Sequence, residues 1–165
     1  MDFYRQNRRL LSSSYALFDG RLSNFVNAQA YYRKALQLLP PSDTEHRGPY
    51  LILLGISLNE AGIRTKGADI QKFLGEAVQA YRAALTVYTQ AELPRQWAAT
   101  QNNLGATLSD QGTRTGGEAG KVLIRQAINA YELALEVRTR EALPVQWEQT
   151  MSNLKAAKKG LEDMK

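Results

Sequence analysis

Residues 51–100 laid over residues 101–150 without a gap agree at 19 of 50 positions. A chain that repeats itself at a fixed period is confined to stacked or arrayed architectures. The agreement concentrates on residues with special backbone or packing roles: Leu54/Leu104, Gly55/Gly105, Leu58/Leu108, Gly62/Gly112, Arg64/Arg114, Ala80/Ala130, Tyr81/Tyr131, Ala84/Ala134, Leu85/Leu135, Pro94/Pro144 and Trp97/Trp147. Each unit is thus one supersecondary module that buries its apolar face by stacking on its neighbours.

Every unit divides into two helices by its own pattern. In the second half, Leu74, Ala77, Val78, Tyr81, Ala84, Leu85 and Tyr88 recur at spacings of three and four, and Ile124, Ala127, Ile128, Tyr131, Ala134 and Leu135 repeat that stripe one unit later. In the first half Trp97, Leu104 and Leu108 share a face, and Pro94 and Pro144 sit where a first helical turn accepts proline. Gly55 or Gly105 on one helix and Ala80 or Ala130 on the other allow close backbone approach, which predicts an antiparallel hairpin. Ala28, Tyr32, Ala35 and Leu36 repeat the second-helix series, with LLPP at 38–41 as its turn, so an earlier first helix is expected over about residues 3–19, followed by a short loop near Gly20. Ser42 and Glu45 form a capping-box pattern, but Pro49 would then fall inside the helix and kink it, or else begin it. Residues 145–163 are expected to supply a first helix alone, with Trp147, Leu154, Ala157 and Leu161 inward and Lys155 in place of the glycine, a small residue not being required where no helix follows.

The Leu-Gly pair, the Ala, Tyr and Ala-Leu series and the following Pro resemble the tetratricopeptide repeat (TPR) family. The segments ALPVQW and NNLGATL look most like a long-repeat variety found in bacterial multi-repeat proteins. The resemblance implies an all-α, right-handed superhelical array of antiparallel helix hairpins: repeat 1 over about residues 3–40, repeat 2 over 42–92, repeat 3 over 94–142 and a capping helix over 144–163, all one domain spanning residues 1–165. The unit of 50 residues exceeds the family's usual period of about 34, the excess going into longer helices and the GxRT loop. Unit 1 departs further, with Tyr15-Ala16 in place of Leu-Gly.

The resemblance also implies a concave groove, lined by first helices, in which peptides or partner helices bind. Its residues would be Ile52, Ile56 and Asn59, then Asn102, Asn103, Ala106 and Ser109, then Ser152, Asn153 and Ala156. The chaperone-binding members clamp a C-terminal carboxylate with Lys and Asn. Here the matching lysine positions hold Ile52, Asn102 and Ser152, so carboxylate clamping is not expected. Amides beside small apolar residues suit an extended backbone or an amphipathic helix. The alternative for Asn102 and Asn103 is hydrogen bonding between neighbouring repeats.

GTRTGGEAGKV, Gly112 to Val122, is suggestive of a phosphate-binding loop, but Gly116 stands one residue too close to Gly120-Lys121, Val122 replaces the hydroxyl and no strand precedes it. It is expected to be a repeat connector whose glycines supply turn conformations, as GIRTKG does one unit earlier. With no cysteine and one histidine, His46, expected at the surface, neither thiolate nor cysteine-zinc chemistry is available, and Glu60, Asp69, Asp110 and Glu118 show no paired spacing for acid–base work. No cofactor, metal or catalysis is expected. The net charge of +5 is scattered. Arg64, Lys66 and Arg114, joined by Arg21, would form a basic edge, by default solvated and alternatively a contact for an acidic partner or nucleic acid. The second is disfavoured because the tyrosines lie on buried stripes instead of beside the basic residues. The N-terminus lacks the apolar core of a signal peptide and no run of about 18 apolar residues occurs, so a cytoplasmic, non-inserted protein is expected. Its function would be that of a protein-binding scaffold or adaptor.

Overall fold

The computed structural model describes residues 22–67 and 69–164, and these form six helices and no strand. They are α1 (Leu22–Leu38), α2 (Thr44–Arg64), α3 (Asp69–Leu85), α4 (Pro94–Thr115), α5 (Gly117–Val137) and α6 (Pro144–Asp163). The first helix expected over residues 3–19 and the loop near Gly20 lie outside the described residues. No helix among the described residues is long and apolar enough to cross a membrane.

Contacts between positions fix the packing. Gly48 faces the Tyr88 ring, Gly55 faces Tyr81 and Gly62 faces Leu74, so the chain after α2 descends as α2 ascends. Gly105 against Tyr131 and Gly112 against Ile124 repeat this between α4 and α5. Consecutive helices are therefore antiparallel, as the hairpin reading requires. Alternate helices run parallel: the Thr107 hydroxyl donates to Asn59 and the Thr150 hydroxyl to Asn102, each across 48 residues, while Arg82 on α3 donates to Gln126 on α5. The result is two layers, α2, α4 and α6 in one and α1, α3 and α5 in the other, with each helix packed on its chain neighbours and α4 also touching α2 and α6.

The core follows the repeated stripe through every helix, from Ala28 and Tyr32 through Leu58, Tyr81, Leu108 and Ile124 to Leu154 and Ala157. Trp97 and Ala98 form a smaller cluster with Ala134. In α6 the positions equivalent to Gly105, Leu108 and Gly112 are Lys155, Lys158 and Glu162, all exposed.

Two local expectations are corrected. The N-cap of α2 is Asp43, not Ser42: its carboxylate accepts from the His46 backbone amide at 3.1 Å, and α2 runs on through Pro49. Second, Gly62 and Gly112 do not make turns. Both are buried within helices, and a Cβ at Gly112 would stand 2.7 Å from Ile124 Cγ1 and 2.8 Å from the Gly120 carbonyl oxygen. The GxRT segment is mainly the last turn of a helix, and the left-handed conformations fall on Gly67, Gly116 and Gly117 instead. The long unit thus goes into helices of 17 to 22 residues. The turns ahead of Pro94 and Pro144 share the same pair of bonds: Thr89 and Thr139 accept from the amides three residues on, and the Leu93 and Leu143 amides donate back to their carbonyls. Repeated threonines at this offset use the side-chain oxygen to hold the turn.

Asp110, half-buried late in α4, has its carboxyl pushed above the ordinary aspartate range by burial, an effect the nearby Arg114 partly opposes. With the folded pKa raised, stability is fully present below the unfolded value near 4 and falls as pH rises through the folded value. Asp110→Asn should therefore melt higher than the parent at neutral pH, and the difference should vanish at about pH 3, which paired thermal melts would measure.

Candidate functional site

Along the seam between α2 and α4 the surface sinks into two adjoining hollows. One, of about 280 Å³, is lined by Pro49, Ile52 and Leu53 of α2, by Tyr88, and by Gln96, Ala99, Thr100 and Asn103 of α4. The next, of about 210 Å³, is lined by Ile56, Asn59, Glu60, Tyr81, Asn103, Ala106 and Thr107. Helical spacing explains the grouping: Ile52, Ile56 and Asn59 fall three and four apart on α2, as Asn103 and Ala106 do on α4. Five of the residues expected in the groove are thus brought together, and Asn103 borders both hollows.

The other expected residues are placed differently. Asn102 is 5% exposed, and its Oδ1 accepts from the Thr150 hydroxyl at 3.1 Å and from Asn153 Nδ2 at 3.3 Å. It is withdrawn from the groove surface and joins α4 to α6, which matches the interrepeat alternative. Asn153 is half-buried in that same contact, while Ser152 and Ala156 lie exposed on α6 and Ser109 is half-buried without lining either hollow. Asn59 both lines the second hollow and ties α2 to α4 through Thr107.

The sequence pattern did not single out Tyr88, Gln96 or Leu53 for this surface. Tyr88 follows the last turn of α3, its amide donating to the Ala84 carbonyl at 2.8 Å, and its ring lies over Gly48. The signal available for it was a glycine at the matching register of the preceding helix.

The Arg64 guanidinium pairs with Glu60 one turn back and stacks over the Phe25 ring at 4.9 Å. Lys66 and Arg114 are exposed, and Arg21 lies outside the described residues. In the glycine-rich segment, Gly116 N–H donates to Gly112 and Gly120 N–H to Gly116, at 3.0 and 2.8 Å, and Lys121 bonds Glu118 at 2.7 Å. Those two amides and that ammonium are held by the protein's own acceptors. His46 is half-buried, its Nδ1 2.7 Å from Asp43 Oδ1 at the start of α2.

The opposite layer carries a larger depression, about 560 Å³, over α3, α4 and α5, with Leu85, Leu104, Leu108 and Leu133 at its floor and Arg82 and Arg125 among its lining. Comparison of the chain with protein-family models, curated proteins and solved structures found no match.

Proposed function

We propose that this protein is a non-catalytic, TPR-like interaction scaffold, a cytoplasmic adaptor whose hairpins coil as a right-handed superhelix and whose α2–α4 seam receives a peptide or a partner helix. The observation carrying this reading is the pair of adjoining hollows that share Asn103. Each is floored by aliphatic or aromatic carbon and edged by amides, the arrangement that seats a partner's side chains while bonding its backbone. Recognition along the basic loop edge has less support, since Glu60 neutralises Arg64.

Adjacent asparagines separate binding from architecture. With a peptide selected on the wild-type protein as probe, Asn103→Ala should weaken affinity by about 1–3 kcal/mol while leaving the melt unchanged, because partner groups would be buried unpaired. Asn102→Ala should instead lower stability by about 1–2 kcal/mol through its lost contacts to Thr150 and Asn153. Titration calorimetry beside thermal melts reads both. Binding untouched by Asn103→Ala but abolished by charge reversal at Arg64 and Arg114, with both variants folded, would move the surface to the loop edge.

A further inference from the structure

The seam between α4 and α6 is the repeat equivalent of the one between α2 and α4, yet its chemistry is inverted. By the 50-residue period Pro49, Ile52, Leu53 and Tyr88 correspond to Ala99, Asn102, Asn103 and Arg138; Ala99 and Asn103 line the first seam from α4, whereas Asn102 and Arg138 both meet Thr150 of α6 at the second. At the second seam an amide and a guanidinium thus stand where the first has Ile52 and a tyrosine ring. Arg138, just beyond the last turn of α5, is only 8% exposed. Its Nη1 donates to the Thr150 hydroxyl at 2.9 Å, whose single proton is shared between the Gln146 carbonyl at 2.9 Å and Asn102 Oδ1 at 3.1 Å, so the group is tied from α5 to α6 and, through Thr150, to α4.

Arg138 forms no salt bridge among the described residues. Burial alone lowers its pKa, with no nearby carboxylate contributing, and at neutral pH it stays charged. A guanidinium has five N–H donors, of which one is bonded here. The remaining nitrogens are not among the fully buried, unpartnered atoms, so the small exposed part of the residue includes them. A fixed, largely desolvated cation with unused donors at a surface strongly favours an anion, above all a carboxylate that can bond two N–H groups at once.

We propose that the partner of this groove is a segment bearing an acidic side chain, which pairs with Arg138 while an apolar side chain of the same segment sits in the hollow of Ile52, Leu53 and Tyr88. The proposal rests on the groove reading and gives it a partner chemistry. The two seams are one helix apart, about 10 Å, which is about three residues of extended chain. The recognised pattern is therefore an apolar residue and an Asp or Glu about three positions away.

The test is a random dodecapeptide library selected in parallel on the wild-type protein, on Arg138→Gln and on Arg138→Tyr, the last carrying the residue that fills the equivalent place one repeat earlier and so guarding against a variant that fails to fold. Wild type should enrich peptides with that pattern. The Arg138 variants should keep the apolar preference and lose the acidic one, and a selected acidic peptide should bind them about tenfold more weakly. An acidic preference that persists in folded Arg138 variants, or that never arises in wild type, overturns the inference and leaves the groove standing. Selected peptides whose binding ignores Asn103→Ala and a bulky Ala99→Trp overturn the groove reading itself.

Discussion

Gly112→Leu should cost about 3 kcal/mol or more, enough to remove much of the stability of a domain this size. The reason is geometric. At Gly112 an added Cβ meets the Gly120 backbone oxygen as well as Ile124 and Leu123, and a carbonyl within a helix cannot swing aside as a side chain can. Gly160 provides the internal control: it lies in α6 with nothing within 4 Å of an added Cβ. There Gly→Ala should stabilise by about 0.5–1 kcal/mol, since alanine loses less backbone entropy in a helix. Urea unfolding of the two variants measures both, and a Gly112→Leu protein as stable as the parent would contradict the close crossing of α4 and α5.

Leu74→Ala is expected to cost about 2–5 kcal/mol, because Leu74 has no exposed surface and its removal leaves a void the helices cannot fully close. Its neighbour makes the prediction sharper. A Cβ at Gly62 would stand 2.8 Å from Leu74 Cδ2 and 3.0 Å from its Cγ, so Gly62→Ala alone should destabilise. On the Leu74→Ala background the same methyl enters the void and should restore part of the loss. Such a sign change is the coupling expected of two side chains competing for one space. Simple additivity in a double-mutant cycle would mean that α2 and α3 do not cross there.

The helix pairs of residues 44–85 and 94–137 and the inward stripe were legible because each follows from periodicity: residues three and four apart share a face, and Tyr81 and Tyr131 occupy equivalent positions against Gly55 and Gly105. The glycines of GxRT were misjudged for a physical reason. A glycine that opens a turn and one that admits a neighbouring helix look alike until the partner's register is known, and Gly62 and Gly112 are of the second kind. The N-cap shifted from Ser42 to Asp43 because both are good capping residues in adjacent positions, and the backbone conformation selects between them. In the groove, Ile52, Ile56, Asn59, Asn103 and Ala106 were implied by the family resemblance, and their spacing on α2 and α4 agrees with it. Asn102, implied by the same resemblance, is instead buried against Thr150 and Asn153 of the next repeat, which its own helix does not reveal. Arg138 escaped notice for a related reason: isolated in sequence, it gains meaning only at the place Tyr88 holds in the preceding unit.

The most direct measurement of the central claim is photo-crosslinking in the cells that make this protein, with a benzophenone amino acid placed at Asn103 in one variant and at Arg125, on the opposite layer, in another. The scaffold reading predicts a discrete adduct from position 103, reduced by a second substitution that fills the hollow, such as Ala99→Trp, and none from position 125. Adducts from position 125 alone, with both proteins folded and equally abundant, would place the working surface on the α3–α5 layer and contradict the account.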